Sequence, residues 1–277
     1  MPADPPAGEF TEHRITLDGH PFVYLDSGGE GPPLLALHGH FGRGRIFAPL
    51  ARALGARYRV IAPDLRAHGR SGHGGTLVPG TYVDDAAALL EALGLAPAAV
   101  LGHSMGGAVA YLLAARRPEL VSALLVADGT VLNRRPETEP VLDVSEWPRR
   151  APSREALGAA VEARGIPDAG YFLQSAAAFD DGWGFLFDTG EMMASQRAFV
   201  GDFSADWRAS RQPALLLHGE HSFLLSAETA RRMAAERADT ELVDMPGCGH
   251  WLYEDDPDGF ATAVGAFLDR AQEGSGQ

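Results

Sequence analysis

Val100-Leu-Gly-His-Ser-Met-Gly-Gly107 is the stretch that decides the fold. It contains Gly102-x-Ser104-x-Gly106, preceded by the apolar run Ala99-Val-Leu101 and followed by a helical pattern from Met105 to Arg116. A serine at a tight strand-to-helix turn is forced outward above the sheet edge, and glycines two positions to either side leave room for the backbone crossing. The helix N-terminus behind it favours negative charge developing at that point. The competing reading is an ordinary strand-to-helix turn whose serine caps the helix. In a chain with 33 Gly the five-residue pattern alone means little. The strand before it and the helix after it give it weight.

Outward from this point, short apolar runs alternate with helical patterns. Phe22-Val-Tyr-Leu25, Leu34-Leu-Ala-Leu37, Arg59-Val-Ile-Ala62, Leu124-Leu-Val-Ala127, Leu215-Leu-Leu217 and Leu242-Val243 read as strands. Between them the spacing predicts a helix ending near Arg57, one over Tyr82 to Leu93 with Thr81 as its cap, and one over Ala227 to Arg237. A last helix carries Phe260, Val264, Phe267 and Leu268 on one face. Parallel neighbours need crossover connections, so this alternation predicts an α/β fold with a mostly parallel sheet covered on both faces. The rhythm breaks once. Residues 133–211 hold no strand pattern but several prolines and a set of aromatics, including Tyr171, Phe172, Phe179, Trp183, Phe185 and Phe187. They read as an inserted, mostly helical cap on a core formed by 11–132 and 212–271. Residues 1–10 read as a flexible arm, and the polar tail from Ala271 as disordered.

Composition removes several function classes. The chain has 277 residues, 45 % hydrophobic and 22 % charged, the range of ordinary globular domains. Its 23 basic against 37 acidic side chains give a net charge of −14, which argues against binding nucleic acid or an anionic membrane. All the basic residues are arginine, so Schiff-base and P-loop lysine chemistry is excluded. The single cysteine, Cys248, permits no internal disulfide and no cysteine-based metal cage, and a cytoplasmic location is the default. No apolar run reaches the roughly 18 residues of a membrane span. No signal peptide pattern opens the chain. The expected partner is a small-molecule substrate, with the protein a monomer or homodimer.

Three further segments carry a resemblance. Leu37-His-Gly-His-Phe-Gly42 looks like an HG loop, Asp64-Leu-Arg-Ala-His-Gly-Arg-Ser-Gly72 like a DxRGHGxS segment with Ala67 where Gly is usual, and Gly249-His250 like the site of a catalytic histidine. With the serine motif they stand in the order of the α/β-hydrolase superfamily, which the chain resembles from about Phe22 to Leu268. The resemblance implies that fold, with an eight-stranded type of sheet and an inserted cap, and a serine hydrolase without cofactor or metal.

The chemistry also follows from the residues. Ser104 is a weak nucleophile at neutral pH and needs a base, for which a histidine serves best; of the ten histidines, His250 is the candidate. The oxyanion formed on attack needs two fixed donors. The Met105 N–H, at the start of the helix, is one; the second comes from His40 or Phe41, with Phe41 preferred. His103, next to the nucleophile, Trp251, next to His250, and the cap aromatics Trp183 and Phe179 are candidates for substrate contact. His218 and His221 could also line a pocket. His38-x-His40 could be half of a metal site, but lacks further ligands arranged around it.

The acid departs from the family's usual pattern. Where Gly-x-x-Asp is common, Gly219-Glu-His-Ser222 has serine. A histidine base needs a carboxylate to hold its tautomer. Asp128, at the end of the run 124–127, fits that need, with Glu220 in reserve. Serine in place of aspartate at residue 104 argues against an alkyl-enzyme ester. Acyl transfer to water, on an ester, lactone or thioester of a medium-sized hydrophobic molecule, is the leading reading. A cofactor-free lyase or cyclase and a ligand-binding receptor are the alternatives.

Overall fold

The computed structural model describes residues 9–275. Its strands are β1 (Thr11–Leu17), β2 (His20–Asp26), β3 (Pro33–Leu37), β4 (Arg59–Asp64), β5 (Ala98–His103), β6 (Val121–Ala127), β7 (Leu132–Asn133), β8 (Ala176–Phe179), β9 (Gly182–Phe185), β10 (Gly201–Asp202), β11 (Ala214–Gly219) and β12 (Thr240–Met245). The helices are α1 (Ala48–Leu54), α2 (Pro79–Leu93), α3 (Met105–Arg116), α4 (Arg154–Glu162), α5 (Gly170–Leu173), α6 (Thr189–Ala198), α7 (Ser204–Ala209), α8 (Ala227–Ala235), α9 (Leu252–Asp255) and α10 (Pro257–Ser275).

Eight strands form one sheet in the order β1-β2-β4-β3-β5-β6-β11-β12. The β1–β2 and β2–β4 pairs are antiparallel and the rest parallel. The central strands are apolar without alternation because both faces are covered. All six residues of β5 and of β11 are buried. Behind β5, α3 is buried along Met105–Ala114, so it shows no polar face. The parallel strands all point their C-terminal ends to one edge of the sheet, and the loops there carry the site.

The structure differs from the sequence-based expectations in four places. β1 was not visible as a strand, because this edge strand buries only Leu17 fully and alternates exposed Glu12, Arg14 and Thr16 with partly covered His13 and Ile15. α2 starts three residues early at Pro79, whose fixed φ suits a first helical position, so Thr81 lies inside the first turn and caps nothing. Residues 271–275 continue α10 rather than forming a disordered tail. The arm expected over 1–10 falls almost wholly outside the described residues.

The fourth difference lies in residues 133–211. Four helices, α4 to α7, occupy this segment as the proline-punctuated pattern suggests, but so does the hairpin β8–β9, with its own short bridge from Trp183 to Ala151. The β7–β10 pair closes the base of the insertion, joining Asn133 to Gly201. The hairpin turns through Asp180 and Asp181 and enters β9 at Gly182, whose φ of 125° favours glycine. Among the described residues, no helix is long and apolar enough to cross a membrane.

Candidate active site

Ser104 stands on the turn between β5 and α3 with φ 55° and ψ −119°. This positive φ costs a non-glycine residue about 1–2 kcal/mol. Its side chain accepts no bond from the helix that follows, so it is not a cap. The flanking glycines are required by contact. A Cβ on Gly102 would run into the Gly106 carbonyl, and one on Gly106 into the Leu37 carbonyl of β3.

The acid and base come from separate loops. Asp128 follows β6 with φ 46° and is fully buried; its backbone N–H donates to the Leu217 carbonyl at 2.8 Å. His250 follows β12, and its Nδ1–H donates to Asp128 Oδ2 at 2.6 Å. Two further donors meet the same carboxylate: Ser222 Oγ to Oδ2 at 2.5 Å and the Gly219 N–H to Oδ1 at 3.2 Å. With Nδ1 donating, the His250 Nε2 lone pair is left free to accept a proton. Ser222 therefore fills the place of the missing acid as a donor to the acid on the neighbouring strand. The departure from Gly-x-x-Asp was itself the signal for it. Glu220, the reserve, is exposed and accepts the Gly247 N–H at 2.8 Å, away from His250.

The other histidines brace the loops. His103 lies beneath His250, fully buried, its Nε2–H donating to the His250 carbonyl at 2.8 Å with the rings 4.6 Å apart. Burial, reinforced by the charge His250 would carry, lowers its pKa well below the ordinary value, so it stays neutral. His38 donates from Nδ1 to the Gly39 carbonyl and accepts the Leu65 N–H at Nε2, and burial lowers it to about 3. His40 bonds Ser195 Oγ at 2.9 Å. The pair 38 and 40 is thus spent on structure, and the described residues hold no group of three metal-ligating side chains. Ala67 occupies φ 63°, a conformation that explains why glycine is usual there.

Ser104 and His250 open onto one cavity of about 450 Å³ between the sheet edge and residues 133–211. Met105, Phe41, His40 and Trp251 line it as well. Three of the residues expected at the substrate do not. His103 is underneath, as described. Trp183 and Phe179 belong to the β8–β9 hairpin, where the Arg150 guanidinium covers the Phe179 ring at 3.8 Å, and neither reaches the cavity. Aromatic content could not separate them from Phe172, Phe199 and Phe203, which do line it, because the hairpin that turns them away is a tertiary feature. His218, bonded to Asp244 at 2.7 Å, is not on the wall either, and His221 is exposed. Phe223, with 68 % of its surface exposed, stands at the cavity with its ring 4.7 Å from that of His250. No sequence signal marked it.

An elbow serine, a histidine on the same cavity and a buried carboxylate bonded to that histidine, all at the carboxyl edge of this sheet, form one arrangement. The model of the alpha/beta hydrolase family matches residues 34–263. The chain belongs to the alpha/beta hydrolase family. Within it, the chain is 29 % identical over 280 residues to 2-(acetamidomethylene)succinate hydrolase of Mesorhizobium japonicum, covering 97 % of this chain and 99 % of that one. It is 30 % identical over 261 residues to the sn-1-specific diacylglycerol lipase ABHD11 of Mus musculus, covering 88 % and 83 % respectively. A crystal structure of E-2-(acetamidomethylene)succinate hydrolase superposes with a TM-score of 0.82 at 26 % identity, over 94 % of this chain and all of that one. This alpha/beta hydrolase therefore shares its fold with that enzyme over nearly the whole length of both chains.

Proposed function

We propose that the protein is a serine hydrolase acting on the carboxylic ester, lactone or thioester of a neutral, medium-sized hydrophobic molecule, through an acyl-enzyme. The observation that carries the reading is the 2.6 Å bond from His250 to the fully buried Asp128 beside a cavity that also holds the strained, uncapped Ser104. In the first step His250 Nε2 takes the Ser104 proton while Oγ bonds to the substrate carbonyl carbon, and the carbonyl oxygen becomes an oxyanion. Asp128 holds the tautomer and stabilises the imidazolium. The oxyanion lies against the N–H groups of Met105 and Phe41, each worth about 2.7–4 kcal/mol of transition-state stabilisation. His250 then protonates the leaving alcohol, thiol or ring oxygen. Water repeats the sequence on the acyl-enzyme and releases the acid.

The wall of the cavity supports a neutral substrate. Of the described residues that line it most are apolar, no arginine is among them, and the chain has no lysine. The charged residues on the wall are both acidic, Glu139 and Asp168. A succinate would bring carboxylates to a wall with nothing to pair them, and burying an unpaired charge is costly. A neutral ester of the kind a diacylglycerol lipase cleaves meets no such cost.

The test is labelling by a fluorophosphonate, read by intact-protein mass, with wild type against Ser104→Ala, followed by hydrolysis of p-nitrophenyl esters of rising chain length. One equivalent of label in wild type and none in the variant is expected, with a preference for acyl chains of intermediate length. A folded wild-type protein that takes up no label and turns over no ester would remove the hydrolase reading in favour of a lyase or a ligand-binding role.

A further inference from the structure

The loop after β3 is held from the cap. Tyr171 Oη, on α5, donates to the His40 carbonyl at 2.8 Å, and Ser175 Oγ, just beyond α5, donates to the Phe41 carbonyl at 2.6 Å. Both residues are buried, Ser175 completely. Tyr171 packs its ring against Phe172 and Trp251 at 5.4 and 5.2 Å, which fixes the direction of its hydroxyl. Burial also raises the phenol pKa far above its ordinary value, so the hydroxyl stays a donor. Gln174, between them, bonds the Glu254 carboxylate on α9. A single turn of chain thus grips both the loop and the segment after His250.

The peptide plane converts these contacts into an orientation. In a planar trans peptide the carbonyl of residue 40 and the N–H of residue 41 point in opposite directions, so fixing one fixes the other. Phe41 sits at φ 68°, a conformation that costs a residue with a side chain about 1–2 kcal/mol and so requires support from outside the loop. That backbone runs against the nucleophile: a Cβ on Gly39 would stand 3.0 Å from the Ser104 Cβ. On the other side of the loop, a Cβ on Gly42 would stand 2.5 Å from Tyr171 Oη, so glycine there lets the hydroxyl approach. Among the described residues, no acceptor takes the Phe41 N–H.

We infer that Tyr171 and Ser175 are positioning residues, which hold the peptide planes on either side of Phe41 so that its N–H faces the oxyanion; the cap thereby completes the catalytic site as well as roofing it. This rests on the acyl-transfer reading above. Released from these two hydroxyls, the strained plane between residues 40 and 41 would be free to rotate and turn the donor away.

Tyr171→Phe keeps the ring and removes the donor. In the full-length protein we would measure kcat and KM for p-nitrophenyl butyrate, and inhibition by 1,1,1-trifluoroheptan-2-one, whose serine adduct carries an oxyanion, against heptan-2-one, which binds without forming one. Loss of an oxyanion donor predicts a fall in kcat of about 10–100-fold, with KM changed less than about threefold. Inhibition by the trifluoroketone should weaken by the same factor, with that by heptan-2-one unchanged. An unchanged kcat, or a raised KM with both ketones equally affected, would reduce Tyr171 to a wall of the cavity and overturn the inference. Ser175→Ala carries the same expectation should Tyr171→Phe fail to fold. A wild type inert toward ester and fluorophosphonate removes the acyl-transfer reading and this inference with it; an active wild type matched by both variants removes this inference alone.

Discussion

Replacing Asp128 with Asn tests the assignment of the acid, because the geometry dictates how the amide must sit. Oδ1 accepts the Gly219 N–H, so that position has to remain an oxygen; an amino group there would leave two buried donors facing each other at a cost of about 1–3 kcal/mol. The Asn amino group is therefore placed where Oδ2 now meets His250 Nδ1 and Ser222 Oγ. Ser222, whose Oγ already accepts the Leu224 and Leu225 N–H groups, has to turn its hydroxyl proton away from that amino group and loses its bond to residue 128. His250 cannot do so without turning Nδ1 into an acceptor, which moves its proton to Nε2 and removes the lone pair that would take the Ser104 proton. The wrong tautomer in a serine triad lowers kcat by about 10⁴, or roughly 5.5 kcal/mol at 1.36 kcal/mol per decade. The side chain keeps its shape but loses the Ser222 bond in a buried site, so the variant should fold with a melting temperature lowered by a few degrees. The assay is kcat for p-nitrophenyl butyrate with a thermal melt on the same samples. An Asp128→Asn variant that is folded and retains more than about a tenth of wild-type kcat, while Glu220→Gln is crippled, would refute the reasoning and move the acid to Glu220.

The acid should also be portable: in Asp128→Asn/Ser222→Asp a carboxylate returns at the position Ser222 occupies, and kcat is expected to recover at least about tenfold over Asp128→Asn, whereas Ser222→Asp alone should lower it by crowding two carboxylates around one imidazole. Phe223→Ala removes an exposed ring that lies 4.7 Å from His250 and 5.8 Å from Trp251, so KM for hydrophobic esters should rise about tenfold with thermal stability unchanged. The buried His38, His68 and His103 are held neutral, their pKa values lowered first of all by desolvation, to about 3 for His38 and well below 6.5 for the others. Each protonates near pH 6.5 only in the unfolded chain, so stability is full above that value and is lost as the pH falls toward the folded-state values. With His40, which desolvation lowers in the same way, four such groups predict a loss of about 4 kcal/mol between pH 6.5 and 5.5, measurable by urea unfolding; a flat profile would mean that these rings accept protons in place.

The parts legible in the sequence were those whose constraints are local. Gly102 and Gly106 are dictated by backbone crossings within a few residues of Ser104, and the fully buried strands announce themselves as apolar runs. β1 stayed hidden because an edge strand with one covered side has no such run. The β8–β9 hairpin stayed hidden because three alanines and scattered aromatics carry no period that separates strand from helix. The same ambiguity led to Phe179 and Trp183 being expected at the substrate, whereas the cavity is lined by Phe199, Phe203 and Phe223.

By itself the sequence determined the sheet with its crossover helices, the elbow serine, and the candidate histidine and aspartate at strand ends. Those follow from hydrophobic period, glycine placement and the need of a serine for a base. Only the tertiary structure decided that the Asp128 carboxylate, rather than that of Glu220, accepts the hydrogen bond from His250 Nδ1, that Ser222 braces it, and that Tyr171 and Ser175 reach across from the cap to the loop at Phe41. The physical reason is range. Helix and strand preference is written in neighbours a few residues apart, but a hydrogen bond between residues 122 or 131 positions apart depends on how whole elements pack.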